Sequence, residues 1–254
     1  MSATGTVYLV GAGPGAPDLL TLRAADLLRR ADIVFYDALV HSDTIALADK
    51  AEKIAVGKRC GRHSTAQRFI NKRLVDAAGS HAVVVRLKGG DPMLFGRAQE
   101  EIDVLEQNGI PYQIVPGITA ALAASAAVGT SMTRRGLSRN VTFVTPRRGA
   151  GEEGHDWAHS ALAADTCAIY MGIGEAELIA ATLMARGANP DLPVVIVESA
   201  SLPGERRIAV RLADLGKAAA QNISGPAVIL LGEVYARVKS AQAAAETTER
   251  SRAA

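Results

Sequence analysis

The chain has 254 residues, 48% hydrophobic, 21% charged and 4% aromatic, with 28 Lys and Arg against 26 Asp and Glu for a net charge of +2. This composition supports a buried core built from aliphatic side chains and argues against wholesale disorder, and the near-neutral balance argues against a general nucleic-acid binder. The longest mostly apolar stretch, Ile118 to Gly129, is too short to span a membrane, and Cys60 and Cys167 lack the spacing of a disulfide scaffold or zinc site. No secretory signal is read, so a cytoplasmic α/β protein is expected.

In chain order, Val7 to Val10 reads as a strand that empties into the turn-rich run Gly11-Ala12-Gly13-Pro14-Gly15-Ala16-Pro17-Asp18. Leu20, Ala24, Leu27, Leu28 and Ala31 recur at helical spacing, and Ile33 to Tyr36 and Lys53 to Val56 read as strands. Ser64-Thr65-Ala66-Gln67 fits a capping box, with Gln67 reaching back, at the head of a helix that Gly79 stops. Ala82 to Leu87 is apolar and β-branched apart from Arg86, as in a strand covered on both faces, and leads into Lys88-Gly89-Gly90-Asp91-Pro92. A helix over Arg97 to Asn108, a strand over Tyr112 to Val115 and an Ala-rich helix to about Val128 follow. This alternation of strand and helix predicts a parallel sheet.

The second half predicts strands at Val141 to Thr145, Cys167 to Met171, Val194 to Glu198, Arg206 to Val210 and Ala227 to Leu231, the third and fourth antiparallel across a short turn. The polar stretch from Gly129 to Asn140 places a domain boundary, giving domains 1–130 and 131–242 and a disordered tail 243–254. The expected architecture is two α/β domains with a ligand cleft between them.

Three segments can carry chemistry. The spacing GxGxG of Gly11, Gly13 and Gly15 is not the dinucleotide pattern GxGxxG, and Pro14 and Pro17 remove backbone donors where a pyrophosphate needs them. Gly89 and Gly90 permit close approach to the backbone, and Asp91 offers a carboxylate to a hydroxyl pair or a cationic centre; a plain type II turn is the competing reading. Because ligands of parallel sheets gather at the carboxyl ends of strands, Pro14, Asp37, the Gly89 loop and the Pro116 to Ala120 segment should converge. The third is Val56-Gly57-Lys58-Arg59-Cys60-Gly61-Arg62-His63, which with Arg97, Arg134, Arg135, Arg139, Arg147 and Arg148 suits a small polyanion or RNA; interleaved aromatics for RNA are missing. His41, His63, His81, His155 and His159 form no metal pattern; His155 and His159, at helical spacing, read as a surface pair. No metal site is expected.

Between Thr6 and Val238 the chain resembles the class III S-adenosylmethionine-dependent tetrapyrrole methylases, in particular uroporphyrinogen-III C-methyltransferases. The likeness rests on Val10-Gly11-Ala12-Gly13-Pro14-Gly15, Tyr36-Asp37-Ala38-Leu39-Val40, Val56-Gly57-Lys58-Arg59, Arg86-Leu87-Lys88-Gly89-Gly90-Asp91-Pro92 and Val115-Pro116-Gly117-Ile118-Thr119-Ala120. It implies a cytoplasmic homodimer without nucleic-acid or membrane partners, using S-adenosyl-L-methionine as methyl donor to convert uroporphyrinogen III to precorrin-2 by two transfers. Methyl-donor contacts would fall on Pro14, Gly89, Gly90, Asp91, Leu94, Thr119, Ala120, Met171 and Ala200. Asp37 and Lys58 match the proton acceptor and donor, and Arg97, Glu100, Arg135 and Met171 match positions that face the tetrapyrrole. The eight carboxylates of that substrate call for an Arg-rich mouth. The family commonly has Thr-His-Arg where Thr133-Arg134-Arg135 stands, Thr-Gly-His where Thr145-Pro146-Arg147 stands, and Gly-Gly in place of Ala98-Gln99. The alternatives carried alongside are methylation of a later corrin-pathway intermediate, an RNA-directed methyltransferase of the same class, and a tetrapyrrole-binding protein without turnover.

Overall fold

Runs of β-branched residues separated by amphipathic helices build the first sheet. The computed structural model describes residues 4–56, 63–149 and 154–242. Lys58 and the proposed tail 243–254 lie outside them, as do the side chains of residues 63–66, Ser64 included. The chain divides into two units, Met1–Ala120 and Ala121–Ala254. That division lies N-terminal to the polar stretch 129–140 where composition placed it.

In the first unit, Thr6–Gly11 (β1), Ile33–Tyr36 (β2), Glu52–Ala55 (β3), Val83–Lys88 (β4) and Tyr112–Val115 (β5) form one sheet in the order β3-β2-β4-β1-β5. Every pair is parallel, as the alternation predicts. Leu22–Arg30 (α1), Ser42–Ala46 (α2), His63–Ala78 (α3) and Ala98–Gln107 (α4) connect them. Thr21 starts α1 by accepting the Ala24 N–H at 3.1 Å. Side chains alternate across the sheet. Val7, Leu9, Ile33, Phe35 and Val84 face Ile70 and Leu74 of α3 and Ile102 and Leu105 of α4. Val10, Val34, Val85 and Leu87 pack instead against Ala24, Leu27 and Leu28 of α1. The carboxyl ends of β1, β2, β4 and β5 therefore share one edge.

Ala120–Ala127 (α5) leads into the second unit, where the Ala121 N–H donates to the Tyr170 hydroxyl at 3.0 Å. Val141–Val144 (β6), Trp157–Ala163 (α6), Thr166–Ile169 (β7), Ala176–Ala185 (α7), Pro193–Glu198 (β8), Arg206–Arg211 (β9), Leu215–Ala219 (α8), Ala227–Gly232 (β10) and Ala241–Gln242 (β11) follow. The sheet order is β11-β9-β8-β10-β7-β6, with β6 and β7 parallel and the other pairs antiparallel, β8 and β9 among them. Ile169, Ile196, Ile229 and Leu231 meet Ile179, Leu183, Leu212 and Leu215 in its core. His155 precedes α6, whose cap is Asp156, so His155 and His159 do not share a helical face. Both are exposed.

Glu198 at the end of β8 is buried, and its carboxylate binds the Arg206 Nε at 2.6 Å and the N–H groups of Ser224 and Gly225 at 2.8 and 2.6 Å. Desolvation pushes its pKa up, but the Gly225 N–H, Arg206 and the Ser224 N–H outweigh that and hold it below the usual glutamate value. A depressed folded pKa contributes stability above the unfolded pKa, and that stability is lost as pH falls through the folded one. Glu198→Gln is expected to be less stable near neutrality and to lose less stability on acidification through the carboxylate range. Urea melts from neutral to acidic pH read both effects; parallel curves for the two proteins would contradict this.

Candidate active site

Three loops of the first unit meet backbone to backbone at the shared strand edge. A Cβ on Gly117, after β5, would lie 2.3 Å from the Gly90 carbonyl oxygen and 2.9 Å from the Gly11 Cα, and one on Gly11 would lie 2.6 Å from Gly117. Only glycine fits where main chains approach this closely. Beyond the sheet the loops after β1 and β4 stay paired. Gly13 and Gly90 exchange N–H···O bonds of 3.2 and 2.8 Å, and Ala12 donates to the Lys88 carbonyl at 2.8 Å. The loop after β2 joins them through Leu39, whose Cβ would be 3.1 Å from a Cβ at Gly89. Pro14, Asp37, Gly89, Gly90, Asp91, Leu94 and Thr119 thus lie on loops at one edge, and Ala120 follows at the start of α5.

Asp91 ties two of these loops together. Its Oδ1 accepts the Met93 N–H at 2.7 Å and its Oδ2 accepts the Gly117 N–H at 2.9 Å. Each oxygen thus serves one backbone N–H, which fixes the carboxylate in place and leaves each a further lone pair to offer to a ligand. The following segment is bent hard: Phe95 and Arg97 have φ of 53° and 54°, and a Cβ on Gly96 would lie 2.5 Å from the Pro92 carbonyl oxygen. Arg97 and Glu100, both expected to face substrate, form a two-pronged ion pair of 2.6 and 2.7 Å at the exposed start of α4.

Behind the loops lies a set of buried charges. Arg86 and Lys88 alternate with Leu87 and so point to the α3/α4 side of the sheet, with Val84 and in phase with Phe35 and Asp37. On α4, Ala98, Glu101, Ile102 and Leu105 form the buried stripe, and Glu101 is fully inaccessible. Its carboxylate accepts from Arg86 Nε at 2.9 Å, from Lys88 Nζ at 3.0 and 2.9 Å, and from Gln67 Nε2 at 3.3 Å. Arg86 Nη2 reaches Asp37 Oδ1 at 2.5 Å, and its Nη1 donates to the Leu87 carbonyl at 3.2 Å. Two cations face two carboxylates. Burial pulls the Arg86 pKa down, but Glu101 and Asp37 outweigh it and the guanidinium titrates above its ordinary value. Burial and the repulsion of Arg86 lower that of Lys88.

Gln67 was expected to reach back toward Ser64, but its amide donates inward to Asn71 Oδ1 at 2.9 Å and to Glu101. The buried acceptor on α4 competes better than the helix end. Arg86, Lys88 and Glu101 were missing from the expected site. The available signal was two cations two residues apart in an otherwise apolar strand, and a carboxylate at a core position of the Ala98, Ile102, Leu105 stripe.

In the second unit, β6, β7 and β8 end at one edge, since β7 and β8 both run antiparallel to β10. Met171, half exposed, follows β7 with φ of 54°. Ala200 is buried after β8 between Ser199 and Ser201, whose φ values are 52° and 69°. Left-handed backbone at non-glycine residues is costly and concentrates at functional sites. Arg135 is exposed in the turn closed by Arg134 and Ser138, and Arg139, Arg147 and Arg148 are exposed as well. Among the described residues no three His, Cys, Asp or Glu side chains converge as metal ligands, and no helix is long and apolar enough to cross a membrane.

Residues 6–216 match the model of the Tetrapyrrole (Corrin/Porphyrin) Methylases. The chain belongs to this family. As a tetrapyrrole methylase it is 44% identical over 234 residues to a siroheme synthase of Psychrobacter sp. (strain PRwf-1), covering 91% of this chain and 48% of that protein. It spans about half the length of the curated relatives it matches. Among solved structures, the native uroporphyrin III C-methyl transferase of Thermus thermophilus is 41% identical with a TM-score of 0.81, covering 91% of this chain and 99% of that one. The complex of the Thermus enzyme with S-adenyl homocysteine gives 40% identity and a TM-score of 0.79 over the same shares. The α/β architecture of two sheets with helices is the tetrapyrrole methylase fold.

The brace made by Asp91 gives a direct expectation. Asp91→Ala removes the acceptor of two backbone N–H groups and should cost about 1–3 kcal/mol of stability. Urea denaturation measures it, and an unchanged midpoint would show that water replaces the carboxylate without loss.

Proposed function

We propose that this chain methylates carbon atoms of uroporphyrinogen III, moving two methyl groups in succession from S-adenosylmethionine to give precorrin-2. The observation that carries this reading is the likeness to the Thermus enzyme along nearly its whole length, with S-adenyl homocysteine bound in one of its structures. The residues of the strand edge fit such a methyl donor. Gly89 and Gly90 offer bare main chain, with Leu39 at 3.1 Å and the Thr119 Cα at 3.9 Å from where their Cβ atoms would be. Pro14 has no N–H to give a pyrophosphate, whereas an adenosyl group needs flat surface and a few polar partners.

When bound, the sulfonium supplies an electrophilic methyl group and a good leaving group. The chain's residues then have to align that methyl with a nucleophilic ring carbon, keep water out and manage a proton. Pro14, Gly89, Gly90, Asp91, Leu94, Thr119 and Ala120 would hold the methyl donor, with Met171 and Ala200 as further contacts. Asp37 at the end of β2, with its side chain 29% exposed, would take the one proton that each alkylation must release from the macrocycle. Lys58, in the donor role, would serve proton shifts around the ring that leave this net loss of one unchanged. Arg97 and Arg135 would bind substrate carboxylates, with Glu100 orienting Arg97 and Met171 against the ring. A homodimer working in the cytoplasm is the finer reading, and it rests on the family resemblance.

Anaerobic incubation of the chain with S-adenosylmethionine and uroporphyrinogen III, read by mass spectrometry, should yield a product heavier by two methyl groups. Recovery of unmodified substrate by a chain that still binds S-adenosylhomocysteine would overturn this reading and turn attention to a later corrinoid substrate or to binding without turnover.

A further inference from the structure

We propose that Glu101 is a positioning residue for Asp37 and acts on it through Arg86. The inference rests on the reading that Asp37 handles the proton. Among the described residues the Asp37 side chain accepts one side-chain hydrogen bond, from Arg86 Nη2 at 2.5 Å. Its orientation is therefore inherited from a guanidinium that is itself 3% exposed. Arg86 has its Nε on Glu101 and its Nη1 on the Leu87 carbonyl, so the plane of the fork is set at one end by α4 and at the other by β4. A planar guanidinium transmits this: fixing Nε and Nη1 fixes the direction in which Nη2 points.

Glu101 is in turn held by Lys88 on both oxygens and by Gln67, which leaves it no freedom to follow Arg86 if the guanidinium moves. The exposures rise along the chain of bonds, from none at Glu101 through 3% at Arg86 to 29% at Asp37. Only the last group faces the strand edge where the loops converge. A merely structural core would do as well with apolar residues at these positions, since buried ion pairs seldom add net stability over close-packed hydrophobic side chains. What the ions add is direction. Because Arg86 titrates above its ordinary value, the cation beside Asp37 persists across the working pH range.

The test is a double-mutant cycle on the purified full chain with S-adenosylmethionine and uroporphyrinogen III. Glu101→Gln keeps the shape and removes the charge. It is expected to lower kcat at least about tenfold, a fraction of the ~10²–10⁴ that a positioned base supplies, while the substrate KM and S-adenosylhomocysteine affinity by calorimetry stay within about twofold. In an Asp37→Asn background the same change should cause no further loss, since the group it positions is already gone. Multiplying losses, or an undiminished rate in Asp37→Asn, would overturn the inference.

Should Glu101→Gln fail to fold, Arg86→Lys keeps a cation against Glu101 but cannot span both carboxylates, and the same pattern is expected of it. A wild-type chain that transfers no methyl group refutes the proposed activity instead. Crystal structures of the two variants then decide the positioning separately: loss of a single ordered Asp37 conformer upholds it, and an Asp37 carboxylate unmoved in both overturns it.

Discussion

Three charges taken out of water beneath α4, Arg86, Lys88 and Glu101, with the partly exposed Asp37 beside them, govern how the first unit can be built. Arg86 and Lys88 enter the core because β4 is covered on both sides and every second residue must face α3 and α4. Two cations there are tolerable only with carboxylates in contact, and removing a partner from a buried pair typically costs about 3–5 kcal/mol. Glu101 and Asp37 meet that demand from two different elements. The register of α4 on the sheet, the end of β2 and the exit of β4 into its glycine loop are consequently locked to one another. A shift of any one of them would strand a charge.

The second constraint is made of backbone alone. Gly11 at the end of β1 and Gly117 after β5 are far apart in sequence, and each leaves room for the main chain of the other and for the Gly90 carbonyl, while Gly90 itself takes a left-handed φ of 69°. Asp91 then fastens the β5 loop to the β4 loop with one side chain. Such a junction is rigid without being filled, which is what a site needs if a flat ligand group is to lie against the main chain. The charged quartet and the glycine junction sit on the same strand edge, one behind the loops and the other within them.

Much of this was legible in the sequence. β5 spans Tyr112–Val115 as expected from four residues between a turn and Pro116, and β8 and β9 pair antiparallel because a handful of residues between Glu198 and Arg206 leaves no room for a crossover helix. The expected loops do gather at one edge, since strand polarity follows from the crossovers. What escaped was the direction of polar side chains. Gln67 matched a capping pattern yet turned to a stronger buried acceptor, and Glu101 on a helix reads as solvent-facing unless its place in the apolar stripe is noticed. His155 and His159 are four apart, but helix spacing has no meaning before the cap at Asp156. Local patterns fix where the backbone goes; which partner a polar group selects is decided by three-dimensional neighbours.

The strand order of the first sheet has a consequence for synthesis. β1 lies between β4 and β5, so the segment Thr6–Gly11 emerges from the ribosome long before either neighbour, Val83–Lys88 or Tyr112–Val115, exists. Until then β2 and β3 can pair with each other while β1 has no edge to join. An apolar strand held waiting through some seventy-five residues of elongation (from Thr6 to its partner Val83) is a target for wrong pairing and for chaperone capture. Helix α1, whose apolar stripe covers the same sheet, can shelter it during that interval.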